Sequence, residues 1–216
     1  MITSEWEKPF RKLIKKYGNR AHPLEYGNIY QLLVMVVLSA QDSDANINRV
    51  APALFEQFPN MESLAASNAD AVIPFVSKVR GHCKKVAWLL DIASTVKSDA
   101  GIPLDMDGLV KLKGIGRKSA NVIMREAGAK PQGIMVDLHV LRVIARVGIS
   151  SAETGDKMEQ DLMDSFPKSM WKDLGMSVSY LGREICRPTN PHHDECVMNK
   201  VCCFCLEKSQ AIRPST

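Results

Sequence analysis

The run IYQLLVMVVLSA, residues 29–40, is apolar on nearly every side. A helix with no polar face has to be enclosed by other elements, and this run is too short to cross a bilayer. The segment 28–41 is therefore predicted to be a buried central helix, and the rest of the chain must supply its surroundings. Residues 6–18, 43–58 (opening on a Ser43 or Asp44 cap), 83–100, 105–112, 117–128, 136–148, 154–166 and 172–186 repeat apolar side chains at helical spacing. Residues 63–79 read as two short helices broken near Pro74. No segment alternates in the manner of a half-buried strand, connections are short, and there is no internal repeat or low-complexity tract. The expected fold class is all-α. With 216 residues and 45% hydrophobic content, the core suffices for one domain or two small ones.

The N-terminal stretch MITSEWEKPFRKLIKKYG lacks the order of charge, apolar run and small-residue cleavage site that marks a secretory signal. A cytoplasmic protein with reduced thiols is expected, with no membrane partner. A net charge of +4 and a pI near 8.7 allow an anionic partner without requiring one.

Two segments carry chemistry. In LKGIGRKSANVIM (112–124) two helices meet through Gly114-Ile115-Gly116. Glycine permits positive φ and close backbone approach, Ile115 is placed to plug the gap between the helices, and the second helix starts near Arg117. Its open N–H groups and positive dipole end suit a phosphate, although an ordinary αα-turn has the same glycines. Lys118 lies in that first turn, where the dipole disfavours an ammonium. A neutral lysine there can attack an electrophilic sugar carbon; a phosphate contact or a solvated lysine is the plainer reading. Downstream, AGAKPQGIMVDLHVLR (127–142) brings a Gly/Pro loop to Asp137 at a helix start, where a lone aspartate is usually an N-cap. The second segment, CRPTNPHHDECVMNKVCCFC (186–205), holds five of the six cysteines and two of the five histidines. Disulfides, a metal site and chance crowding compete to explain it, and a reducing compartment counts against disulfides.

Taken together, LSAQDSDANIN (38–48), LKGIGRKSANV, the Gly/Pro loop with VDLHVLRV, and the terminal cysteines resemble, in order and through nearly the whole chain, the helix-hairpin-helix Gly/Pro-Asp (HhH-GPD) superfamily of DNA glycosylases. The resemblance implies two all-helical lobes. One is a barrel over 22–133 with the hairpin at about 105–128; the other combines 1–21 with 134–216 and carries an iron-sulfur cluster loop. It implies that Lys118 is the nucleophile at C1′ of a flipped deoxynucleoside and that Asp137 assists it and stabilises positive charge on the sugar. The two are then expected to face each other across the cleft between lobes. Gln41 is implied to fill the gap left by the extruded base, since the reacting atom is inaccessible within the stack. Gln41, Lys113, Gly114, Gly116, Arg117 and His139 are the expected DNA contacts.

The chain departs from the family pattern in several places. Lys113 stands where the family has proline and Leu138 where it has threonine, and the step from Lys118 to Asp137 is one residue longer. Gly81 occupies the position of a bulky wedge, with His82 as its aromatic neighbour. The family's cysteine spacing, begun at Cys186, requires ligands at 193, 196 and 202; Cys196 and Cys202 fit, but position 193 is His193. A 4Fe-4S cluster held by Cys186, His193, Cys196 and Cys202 is expected, since imidazole is an acceptable iron ligand. The alternatives are a downstream thiolate from Cys203 or Cys205, a Cys3His zinc site, or an empty loop. Arg187, Lys200 and Lys208 are either near phosphates or solvated.

The function expected is a base-excision-repair glycosylase with AP lyase activity toward oxidised pyrimidines. It would act as a monomer on double-stranded DNA containing damaged bases or abasic sites, nucleoid-associated in a bacterium. A helix-hairpin-helix DNA-binding protein with weak or lost chemistry and a zinc-stabilised interaction module are the competing expectations.

Overall fold

The computed structural model describes residues 4–211, and among them every regular element is helical. In chain order these are α1 (Ser4–Tyr17), α2 (Ile29–Ser39), α3 (Asp44–Gln57), α4 (Met61–Ala65), α5 (Ala69–Val76) and α6 (His82–Val96), then α7 (Met106–Leu109), α8 (Arg117–Glu126), α9 (Leu138–Val147), α10 (Gly155–Ser165), α11 (Lys168–Glu184) and α12 (Cys203–Ala211). No helix among the described residues is long and apolar enough to cross a membrane. The chain divides into two compact units: residues 21–129, and residues up to 20 together with those from 130 onward.

The contiguous unit is built around α2. Leu32 through Leu38 are all buried, and α3, α6 and α8 pack on its sides. Asn28 starts α2 by accepting the Gln31 N–H at 2.9 Å, and Ser43 starts α3 by accepting the Asn46 N–H at 3.2 Å. Such caps satisfy donors that a helix start leaves open. The expected break near Pro74 does not occur: Pro74 lies inside α5. The chain breaks earlier, at Ser67-Asn68, where the Asn68 side chain accepts the Ala71 N–H and restarts the helix. A strong cap at Asn68 sets the boundary, and the proline is tolerated within a helix of only eight residues.

In the discontinuous unit α11 is the core, packed against α9 and α1. Phe10 meets Phe166 edge-on at 4.8 Å, Tyr17 stacks on Tyr180 at 6.0 Å, and Arg20 pairs with Glu184. Burial, with Glu184 adding to it, pushes the Tyr17 phenol up to about 12.

Candidate active site and cysteine loop

Asp105 caps α7 by accepting the Gly108 N–H at 2.8 Å, and the turn that follows buries Leu112 and Ile115. Gly114 has φ +82°, and a Cβ there would lie 2.6 Å from the Trp88 ring. Both the backbone and the neighbouring indole therefore demand glycine. Gly116 is the N-cap of α8 with φ −96°, has no side-chain cap, and has no atom within 4 Å of the space a Cβ would fill. The start of α8 is thus open. Burial of Ala120, Val122, Ile123 and Met124 fixes the rotation of the helix and leaves Lys118 exposed in its first turn. Lys113 pairs with Asp91 at 2.6 Å. Behind the hairpin, burial holds His22 down at about 4; the positive charges of Lys118 and Arg125 act the same way and Glu126 opposes them.

Gln41 is exposed with φ +58°, an unusual conformation for a residue with a side chain. The adjoining Asp42 ties this turn to the loop before α6. Its Oδ1 accepts the Ser43 N–H at 2.8 Å and the Asn46 Nδ2–H at 3.0 Å, and its Oδ2 accepts the Arg80 N–H at 2.8 Å. Burial works to raise the Asp42 carboxyl, but these hydrogen bonds outweigh it and hold the group low. Asn46 also donates to the Lys78 carbonyl at 3.2 Å, and the buried Lys85 donates to the Leu38 carbonyl at 2.8 Å. Gly81 sits on this tethered loop with φ +67° and nothing within 4 Å. A side chain there has room but meets an unfavourable backbone, which favours glycine at this position.

Asp137 belongs to the discontinuous unit. It is the N-cap of α9: Oδ1 accepts the His139 and Val140 N–H groups, both at 2.9 Å, while Oδ2 accepts the Ser179 hydroxyl at 2.6 Å. Leu138, next along, is 79% exposed. His139 Nδ1 contacts Arg142 at 3.2 Å, and Arg142 donates to the carbonyls of Gly182 and Cys186. One turn on, Arg146 donates to Cys186 Sγ at 3.3 Å and to the Arg187 carbonyl at 2.6 Å. A single helix therefore connects the Asp137 carboxylate to the cysteine loop. Ser179, Asp42, Lys85 and Arg146 were not singled out by the sequence; each acts through a contact distant along the chain.

In the loop, Cys186, His193, Cys196, Cys202 and Cys205 line one hollow of about 10 Å³ floored by Val143. A polynuclear group would take the space these five side chains now share. All six cysteines are unbridged. Cys203 is exposed and faces Gly148 instead. Burial pushes the Cys205 thiol up to about 12, with neighbouring Cys202 adding to the effect. His193 Nδ1 lies 2.8 Å from Cys205 Sγ, and His193 Nε2 is buried with no hydrogen-bond partner. Among the described residues, no three His, Cys, Asp or Glu side chains converge as one metal ion would need. The donors instead ring a space. Soft thiols and a partnerless buried imidazole nitrogen fit an iron-sulfur group in chemistry.

The all-helical fold, the hairpin with its exposed lysine and the capped aspartate together define a class. The chain belongs to the HhH-GPD superfamily of base excision DNA repair proteins, whose model matches residues 34–168. Within it the similarity is to endonuclease III. The Synechocystis protein is 30% identical over 200 residues, spanning 88% of each chain, and the Bacillus subtilis protein is 33% identical over 182 residues, spanning 83% of each. The solved structure of a trapped endonuclease III–DNA covalent intermediate superposes with a TM-score of 0.85 at 28% identity, covering 97% of this chain and all of that one.

Proposed function

We propose that the chain is a DNA glycosylase with AP lyase activity that removes damaged bases, oxidised pyrimidines foremost, from double-stranded DNA. The observation that carries this reading is Lys118, exposed in the first turn of an uncapped helix after a glycine hairpin, in a chain alike over nearly its full length to a protein trapped covalently on DNA. The Lys118 amine attacks C1′ as the glycosidic bond breaks and the base leaves. The sugar ring then opens at C1′–O4′, O4′ taking the amine proton, to give a Schiff base that acidifies the C2′ hydrogen, so that β-elimination expels the 3′ phosphate. Asp137 provides negative charge for the cation developing on the sugar, as carboxylates do in glycoside chemistry. The start of α8, which has no side-chain cap, holds phosphates together with Lys113, Arg117 and His139, and Gln41 occupies the space of the extruded base. Cys186, Cys196 and Cys202 with His193 hold a 4Fe-4S cluster whose role is to fix the loop. The protein acts as a monomer in the cytoplasm, on the chromosome.

The bare Gly81 supports a narrower second reading, in which base extrusion is inefficient and abasic sites are the better substrate. Borohydride reduction on duplexes with an abasic site or an oxidised pyrimidine tests both. The wild type is expected to form a covalent adduct that Lys118→Ala abolishes without loss of folding, since a first-turn position accepts alanine. An undiminished adduct in that variant identifies another amine as nucleophile. Trapping on the abasic duplex alone favours the second reading.

A further inference from the structure

The hollow offers five donors where a cubane cluster takes four, and one of them, Cys205, touches both His193 and Cys202. His193 Nδ1 is 2.8 Å from Cys205 Sγ, the imidazole lies 5.6 Å from the Phe204 ring, and Nε2 is buried without a partner. Neutral imidazole has one N–H and one lone pair, and the group on one nitrogen decides what the other can do. We propose that Cys205 is the positioning residue for His193: its sulfur accepts the Nδ1–H and so commits the Nε2 lone pair to the metal. The proposal rests on reading the loop as a cluster site.

Several features of this chain support that division of labour. With the proton on Nδ1, the buried Nε2 is a bare acceptor, and leaving such a group unsatisfied is costly; a metal ion removes the cost. Cys205 is 7% exposed and is carried on α12, so its sulfur is held by the packing of a helix rather than by the loop that bears His193. Phe204 restrains the ring from the side, and is itself covered by the Arg146 guanidinium at 4.7 Å. The neighbouring Cys203 does not line the hollow, so the role falls to one of the two downstream thiols only.

The test uses full-length protein reconstituted anaerobically with iron and sulfide, as wild type and as Cys205→Ser, Cys205→Ala, His193→Ala and His193→Cys. Three quantities are read: iron per chain, nitrogen hyperfine coupling from 15N-labelled histidine by pulsed EPR after cryogenic one-electron reduction, and the rate of iron loss to a chelator. Wild type is expected to bind about four irons with a coordinated-nitrogen coupling that His193→Cys removes. Cys205→Ser retains an acceptor and is expected to keep both the iron and the coupling. Cys205→Ala is expected to load but to lose iron roughly tenfold faster or more, the usual scale for removing a group behind a ligand. A Cys205→Ala protein that holds iron as well as wild type overturns the positioning role. If serine and alanine variants both fail to load while His193→Ala loads fully and shows no nitrogen coupling, Cys205 is the ligand and the proposal is wrong. Wild type that takes up no iron overturns the cluster reading itself, a different failure and separately visible.

Discussion

Asp137 caps α9 and, on the function proposed, also serves the reaction with the same carboxylate. As a cap it accepts two backbone N–H groups through a single oxygen, and its other oxygen takes the Ser179 hydroxyl. Asparagine can keep the cap but not the charge; alanine keeps neither. Asp137→Asn is therefore expected to unfold in urea near the wild-type midpoint, while Asp137→Ala loses about 1 kcal/mol. Both are expected to lose turnover on a lesion duplex by about a hundredfold or more, with DNA affinity largely retained. Equal stability loss in the two variants would assign the residue to structure. The capping role of Asp137 was legible from its place before a helix, while its proposed role in the reaction comes only from the family resemblance. Ser179 was not, because a serine within the apolar face of α11 gives no local sign that a carboxylate from another helix lies against it. His193 was singled out only through the family's ligand spacing, and its contact with Cys205 depends on how α12 folds back.

The elements divide in the same way. The central helix α2 was plain from composition, and the hairpin between α7 and α8 from its glycines. The second start of the α4–α5 pair lies before the proline because the Asn68 cap, not Pro74, sets it. Helix α12 was missed: CFCLEK has no apolar repeat, and tertiary packing rather than amphipathic patterning makes it helical. The hairpin also yields a quantitative expectation. Gly114→Ala would force a side chain into a positive-φ position and against Trp88 at 2.6 Å. The two penalties together predict a loss of about 2–5 kcal/mol, read as a lower urea midpoint, with DNA binding weakened as the start of α8 shifts. Gly116→Ala has open space and ordinary backbone angles, so its stability is expected to change little. A Gly114→Ala protein as stable as wild type would mean that the turn is not held by Trp88.

Across the whole molecule, charge sets two responses. Binding that neutralises even three phosphates predicts an affinity loss of about 40-fold from roughly 50 to 200 mM salt, measured by fluorescence anisotropy; an affinity flat over that range removes DNA as the partner. Stability responds to acid through His22, whose folded value of about 4 lies below its ordinary 6.5. The unfolded chain takes up that proton first, so the contribution is intact above pH 6.5 and is lost as pH falls toward 4, by at most about 3 kcal/mol. His22→Asn, which offers the Leu24 N–H a similar acceptor, is expected to flatten the dependence of the urea midpoint between pH 6.5 and 5. An unchanged slope assigns the acid sensitivity to carboxylates. The division of the chain has a last consequence, for synthesis. Helix α1 leaves the ribosome well before α11, yet the surface that buries its Phe10, Leu13 and Tyr17 includes α11, which emerges about 150 residues later. At cellular elongation speeds that is a delay of roughly eight to thirty seconds. Residues 21–129 form one uninterrupted stretch and are free to fold meanwhile, while the helix before them waits with its greasy side uncovered. A message cut short after residue 129 would leave that helix permanently stranded, a ready signal for chaperones and proteases.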